Sequence, residues 1–457
     1  MNILLTFVPA MVAKKKFELW EAPPMALYVL ETVLRHAGNN VKIVDPSEYL
    51  ELNGEEELPQ KSFELLSEKL EGIDLVAFSV NTFNWGISKI IINNLSKEFP
   101  NLLIALGGLH PTIFDEYALN TTGAHFVMRG EGEKTFPELV SCLEKGESLD
   151  YIENLSYKKN GRIKINKSAK SLPVEFLETC EQPDYSLMYQ KGVYKVYPVE
   201  SSRGCAFSCV FCSIPHRNNW RGYSPENVVD RVDNLVENII NLEDIDHVLF
   251  VDDCFSIDTK RAAKIFHRLF EKYGTKIKYF IEVRVSNIIK GDLFYNIPKD
   301  MISGMQIGVE CGYDEGLKLV GKGITVAQLC KSLEIMHITS FANKIFLSFI
   351  IGFPWEDEAD INKTLDTVQY IAQRYKVVCN LNWLLMLPSD LWSQREKYNI
   401  DVDETIYDDP LWVSSKEIFY KVHPKISKDE VKRVEERIIK LTKLSHSLVL
   451  FKKLELE

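Results

Sequence analysis

The sequence contains no apolar run approaching the ~20 residues that a membrane-crossing helix requires; its longest, residues 345–353 among them, fall well short. It carries no excess of positive charge. Against 65 Asp and Glu stand 54 Lys and Arg, a formal net charge of −11. That argues against a nucleic-acid partner held mainly through phosphate contacts, a mode that needs clustered Lys and Arg. The short apolar stretch at residues 1–9 has no basic region before it and no small-residue cleavage site, so no signal peptide is expected. Cysteine is sparse and irregular: positions 142, 180, 205, 209, 212, 254, 311, 330 and 379 form an odd set without the spacing of a secreted disulfide framework. These absences point to a reducing, cytoplasmic setting. Repeats and low-complexity segments are also missing.

What remains is ample for large cores. At 457 residues, with 46% hydrophobic, 26% charged and 11% aromatic residues, the chain has material for two to three globular domains. Residues 1–145 alternate short apolar runs (3–7, 41–44, 74–80, 102–106, 125–128) with amphipathic stretches near 25–36, 62–70, 85–98 and 134–143. Five strands and four crossovers on a parallel sheet are expected, with ligands bound at the strands' carboxyl ends near the topological switch point. Residues 146–192 are more polar and read as a linker with a hairpin at 155–165 around Lys159-Asn160-Gly161-Arg162. Strand and helix alternation resumes over 193–390, with strands at 195–199, 247–251, 277–283, 305–309, 345–351 and 377–385. The C-terminal segment, 391–457, ends in a charged helical stretch at 428–443. Val431, Val434, Ile438, Ile439 and Leu441 would form its apolar side, as in a packing helix or cap.

Three of the nine cysteines fall within eight residues, in Gly204-Cys205-Ala206-Phe207-Ser208-Cys209-Val210-Phe211-Cys212. Thiolates spaced C-x3-C-x2-C can hold three irons of a 4Fe–4S cluster and leave the fourth without a protein ligand, open to substrate or cofactor. The alternative is zinc, because His216 would complete a Cys3His set. The apolar run at 193–199 within a long enzyme-like chain favours the cluster over a small zinc module.

The cysteine spacing, with the aromatic Phe211 before the last cysteine, resembles the signature of radical S-adenosylmethionine enzymes. Further strand ends are similar to that family's motifs in the same order. Phe250-Val251-Asp252-Asp253-Cys254-Phe255 follows the second barrel strand, and Asp253 is expected to meet the amino end of S-adenosylmethionine. Glu282-Val283-Arg284 follows the third, where Arg284 would pair with the methionyl carboxylate or, alternatively, form an ion pair with Asp252, Asp253 or Glu310. Gln306-Ile307-Gly308-Val309-Glu310-Cys311-Gly312 follows the fourth and leads to Gly321-Lys322-Gly323; Glu310 would be a ligand, or a cap for a helix near Asp314. Gly352 of Gly352-Phe353-Pro354-Trp355-Glu356 would let backbone approach the adenosine. The family's last turn is replaced by Pro388-Ser389-Asp390-Leu391-Trp392, which leaves that turn's part in shaping the site open.

The N-terminal region resembles cobalamin-binding domains that precede such barrels, through Gly107-Gly108-Leu109-His110-Pro111-Thr112 and Val127-Met128-Arg129-Gly130-Glu131-Gly132-Glu133. Gly107, Gly108, Glu131, Ser79 and Thr82 are the expected cobalamin contacts, with capping of the helix near Trp85 as the other role for Thr82. The D-x-H-x-x-G motif of many cobalamin domains is absent, so cobalamin without a histidine ligand is expected, and His110 is read as structural.

The resemblance, over residues 1–390, implies an α/β chain: a Rossmann-like cobalamin-binding domain, a partial (β/α)6 radical barrel and a small, mainly helical C-terminal segment. It implies a 4Fe–4S cluster, S-adenosylmethionine and cobalamin as cofactors, and a reductant such as flavodoxin or ferredoxin. The expected activity is methylation of an unactivated carbon, with a 5′-deoxyadenosyl radical abstracting hydrogen and methylcobalamin donating methyl. The alternatives are a cobalamin-dependent cyclase or rearrangement enzyme and a zinc-bearing, non-catalytic binding protein. The substrate, whether small molecule, lipid, peptide or protein side chain, has no readable motif.

Overall fold

The computed structural model describes residues 1–13, 16–18, 22–48, 57–189, 194–214, 216–445 and 448–451. The chain divides into two compact units: Met1–Tyr194 with Asp403–Ser415, and Lys195–Val402 with Lys416–Glu457.

The first unit is built on a seven-stranded sheet. Strands β1 (Asn2–Thr6), β2 (Asn40–Val44), β3 (Leu75–Ser79), β4 (Leu103–Gly107) and β5 (Phe126–Met128) run parallel in the order β2-β1-β3-β4-β5. β3 is buried from Leu75 to Phe78, the continuous apolar run of a parallel strand covered on both faces. Helix α1 (Met25–His36) joins β1 to β2, α2 (Leu58–Glu68) joins β2 to β3, and α3 (Trp85–Glu98) joins β3 to β4. The order reverses between β1 and β3, and there Asn84 donates from Nδ2 to the Val8 carbonyl at 2.8 Å, tying the two strand-end loops together.

Two expectations change here. The fourth crossover is made by two short helices, α4 (Leu109–Ile113) and α5 (Asp115–Thr121); the helix read near 134–143 is α6 (Gly132–Lys145), which follows β5. The expected linker hairpin is instead the sheet's edge. Strands β6 (Leu155–Lys159) and β7 (Arg162–Ile165) extend the sheet antiparallel from β5. The antiparallel turn away from β5 needs no crossover helix, so a hairpin can finish the sheet.

The second unit holds seven parallel strands in chain order: β8 (Val196–Val199), β9 (His247–Phe250), β10 (Tyr279–Val283), β11 (Ile302–Glu310), β12 (Ile345–Ile351), β13 (Val378–Trp383) and β14 (Val449–Phe451). Sequential parallel order with helices between strands is the layout of a partial β/α barrel. Helix α7 (Pro225–Glu237) starts on the Ser224 cap with Pro at its first turn, and α8 (Thr259–Tyr273) on the Asp258 cap, which accepts from Arg261 N at 2.9 Å. Helices α9 (Asp314–Val320), α10 (Val326–Ile338) and α11 (Glu358–Tyr375) follow β11 and β12. The charged tail forms α12 (Lys428–Leu444), started by a Ser427 and Glu430 capping box and buried along Val431, Val434, Ile438 and Leu441. Ile439, expected on that apolar side, is 41% exposed: it stands one residue, or 100°, beyond Ile438. The sixth-strand expectation gains a seventh, β14, which pairs Val449 with Cys379 and Phe451 with Leu381.

Candidate active site

The cysteine loop leaves β8 and is fixed before it reaches Cys205. Buried Asp252, at the end of β9, accepts from Ser201 N at 2.8 Å, Ser201 Oγ at 2.6 Å and Ser202 Oγ at 2.5 Å. Gly204 has φ +83, and a Cβ there would meet the His216 carbonyl at 2.7 Å, so only glycine fits the turn. Beyond it, Cys205 N donates to His216 O and Asn219 N to Cys205 O, each at 3.1 Å. Val210 N donates to Val320 O at 3.0 Å, and Leu391 N to Val210 O at 2.7 Å. The divergent turn Pro388-Ser389-Asp390 thereby gains a role: Asp390 takes both terminal nitrogens of Arg217, at 2.8 and 2.6 Å, and Ser389 caps the short helix Asp390–Ser393. It braces the cysteine loop.

The three thiols sit in a half-dry setting. Burial pushes the Cys205 thiol up and that of Cys212 to about 11, while backbone N–H groups of Phe207 and Ile214 oppose the shift by donating to the two sulfurs.

Around this loop stand the other strand-end residues. The Arg284 guanidinium lies 3.6 Å from the Phe207 ring centre, donates to the Lys322 carbonyl at 2.5 Å and approaches Cys209 Sγ at 3.8 Å. It makes none of the ion pairs weighed for it. Glu310 pairs with Lys322 at 2.9 Å, both side chains buried, and its backbone is left-handed at φ +77. It does not cap the next helix; Tyr313 occupies that position. Asp253 accepts from the Gly204 N–H, and burial, then Asp252 and Glu200, push its carboxyl up to about 6. Phe211 meets Phe353 edge-on at 6.0 Å. Gly352 has φ +79, but a Cβ there would strike His423 Cδ2 at 2.6 Å and Trp383 Cε3 at 2.7 Å; packing against these rings requires the glycine.

Two residues in quoted motifs went unassigned in the sequence. Lys322 is the buried cation that pairs with Glu310; its flanking glycines were the available signal. Glu282 has its carboxyl pushed up to about 8 by burial, opposed by Lys322 and reinforced by Glu310 and Asp253.

In the first unit, Ser79 and Gly107 are register partners at the ends of β3 and β4. Gly108 has φ +97, and a Cβ there would meet the Val80 carbonyl at 2.5 Å, whereas one on Gly107 would find only Met128 Cε at 4.0 Å. The loop thus presses on β3 at Gly108 and leaves room beside Gly107. Thr112 locks the turn: its Oγ1 donates to Gly108 O at 2.6 Å and accepts from Gly130 N at 2.9 Å. Thr82 does not cap α3, where Asn84 stands at the cap; its Oγ1 faces His110 Nδ1 at 3.4 Å. His110 is wholly buried and stacked on Trp85 at 4.6 Å. Glu131 precedes α6 and accepts from Leu172 N at 2.6 Å, so its carboxylate secures the segment after the hairpin.

The sequence matches the B12 binding domain over residues 20–140 and the Radical SAM superfamily over residues 199–368. It is 29% identical over 377 residues to an uncharacterized methyltransferase of Pyrococcus horikoshii, covering 80% of this chain and 77% of that one. Among solved structures it resembles OxsB, a cobalamin-dependent S-adenosylmethionine radical enzyme with aqua-cobalamin and S-adenosylmethionine bound. The TM-score is 0.64 at 18% identity, covering 96% of this chain and 61% of that one, so this chain spans less than two thirds of OxsB. It also resembles the radical S-adenosylmethionine methyltransferase TsrM of Kitasatospora setae with tryptophan and a cofactor analogue bound, with a TM-score of 0.65 at 15% identity, covering 88% of this chain and 77% of that one. These two likenesses concern the fold. The radical domain brings a 4Fe–4S cluster and S-adenosylmethionine as cofactors, and the B12 domain brings cobalamin. The chain thus joins a B12 binding domain to a Radical SAM superfamily domain, in that order.

Proposed function

We propose that the protein methylates an unactivated carbon, drawing electrons from a flavodoxin or ferredoxin. The observation that carries this reading is the presence of a B12 domain and a three-cysteine radical domain in one chain; the Pyrococcus relative, named a methyltransferase, supports methyl transfer. The residues fit the cofactors. Cys205, Cys209 and Cys212 lie on a braced loop with two sulfur-directed N–H donors, and the space beside Gly107, with half-buried Ser79 next to it, suits a nucleotide tail. Bound there, the cluster with S-adenosylmethionine supplies hydrogen abstraction from carbon, and cobalamin supplies the methyl group.

The chain's own residues do the rest. Each of the three cysteines would ligate one iron of the cluster. Arg284 and Lys322 offer positive charge to the carboxylate end of S-adenosylmethionine, and Asp253 and Glu310 offer acceptors to its amino and hydroxyl groups. Phe211 and Phe353 exclude water on one side. The test is product analysis under anaerobic turnover with substrate, whether small molecule, lipid, peptide or protein side chain. Deoxyadenosine and S-adenosylhomocysteine should form together. Deoxyadenosine without S-adenosylhomocysteine, from protein loaded with cobalamin and converting its substrate, would reject methyl transfer and favour ring formation or rearrangement.

A further inference from the structure

The first unit includes one stretch from far along the chain, Asp403–Ser415. It is bound by several independent contacts. The Asp408 carboxylate accepts from Trp85 Nε1 at 2.8 Å, Lys89 Nζ at 2.7 Å and Tyr117 Oη at 2.5 Å, so one side chain joins the start of α3 to α5. The backbone of this strap lies directly on α3 at Gly86, where a Cβ would meet Asp408 O and Pro410 N at 2.8 Å each. Buried Tyr407 sets its ring edge-on to His110 at 5.5 Å and to Trp412 at 5.1 Å, and Trp412 contacts Phe83 at 5.8 Å.

The residues held are those that follow the two strand-end turns. Trp85 opens α3, three residues after Thr82. His110 is the second residue of α4, two after Gly108. α4 has five residues, too few to hold its own shape in water, so the direction in which the chain leaves Gly107 and Gly108 depends on the Thr112 hydrogen bonds and on what packs against His110. That packing comes from Trp85 on one side and from Tyr407 on another. Ligand binding by close backbone approach is sensitive to small shifts in such a turn.

We infer that Asp408 is a positioning residue for cobalamin: it clamps the strap onto α3 and α5 and thereby fixes the Gly107–Gly108 turn. The inference rests on cobalamin binding at that turn. In full-length protein, Asp408→Asn leaves one acceptor oxygen for three donors, and Gly86→Ala pushes the strap off α3 without removing a polar group or weakening the helix. Cobalamin affinity, measured by calorimetric titration with hydroxocobalamin, should fall about tenfold or more in each, the effect of losing a charge-assisted hydrogen bond or the seat that allows it. Iron per chain and far-UV circular dichroism should stay at wild-type values. A purely structural strap would lower the melting temperature and leave the affinity of the folded protein unchanged. If either variant folds and binds cobalamin within twofold of wild type, the clamp is rejected; if the wild type itself takes up none, the cobalamin reading of the turn falls with it.

Discussion

Glu310 and Lys322 form a buried ion pair on backbone that is left-handed at the glutamate. Such a pair contributes little net stability, but breaking it strands a charge. Lys322→Met should therefore destabilise the second unit by about 3–5 kcal/mol. Adding Glu310→Gln should restore most of that loss while S-adenosylmethionine binding stays weak. Urea unfolding and calorimetry check the two halves separately. Alanine at Cys205, Cys209 or Cys212 should abolish deoxyadenosine formation, whereas alanine at Cys142 or Cys180 should leave iron near four per chain; activity surviving any of the first three sinks the ligand assignment. Glu356 gives a pH signature. Burial pushes its carboxyl up from 4.5 to about 7, against donation by Phe353 N–H, Tyr313 and Gly352 N–H. Between these values the folded protein holds a proton that the unfolded chain has released. This group's contribution is thus most favourable below 4.5, declines as pH rises to about 7, and is flat above. Glu356→Gln should remove that part of the slope of denaturation midpoint against pH; a wild-type slope in the variant would overturn the assignment. At this scale the sequence marked strand-end residues that the fold gathers around the cysteine loop, but the ion pairs weighed for Arg284 are not the contacts it makes. The position of Arg284 over Phe207 depends on a loop 77 residues earlier, which no local pattern encodes.

Elements with a long period or a strong cap were legible. The stretch read at 428–443 matches α12 because a Ser427-x-x-Glu430 box marks its start and its buried face repeats at helical spacing. The short pieces were not. α4 and α5, with five and seven residues, are too brief to show a period, so the crossover was assigned to the next helix. β14 is three residues long, and its place is set by β13. The hairpin at 155–165 announced its turn with Asn160-Gly161, but its sheet lay with a partner strand outside the motif. The two glycines of the β4 turn, equivalent in sequence, separate in structure. Gly107→Ala should fold normally, since Cβ there reaches only Met128 Cε at van der Waals distance, but should weaken cobalamin by standing in the room proposed for its tail. Gly108→Ala should cost more than 1 kcal/mol, through its left-handed φ and its collision with Val80, and should lose cobalamin. Thermal melts and absorbance after reconstitution decide between them.

For the molecule as a whole, the order of domains was readable because each carries its own motif, whereas the assignment of residues to units was not. Asp403–Ser415 belongs with the first unit although it follows the barrel strands in sequence, and nothing in its composition says so; only Gly86 and the donors to Asp408 reveal it. This arrangement imposes a timetable on the ribosome. The 208 residues 195–402 separate the two parts of the first unit, and at about 5–20 residues per second they take roughly 10–40 s to synthesise. Through that interval the emerging N-terminal sheet lacks its last piece, so a nascent chain stalled before residue 403 should hold cobalamin poorly, and loading becomes a late event that waits on the barrel's completion.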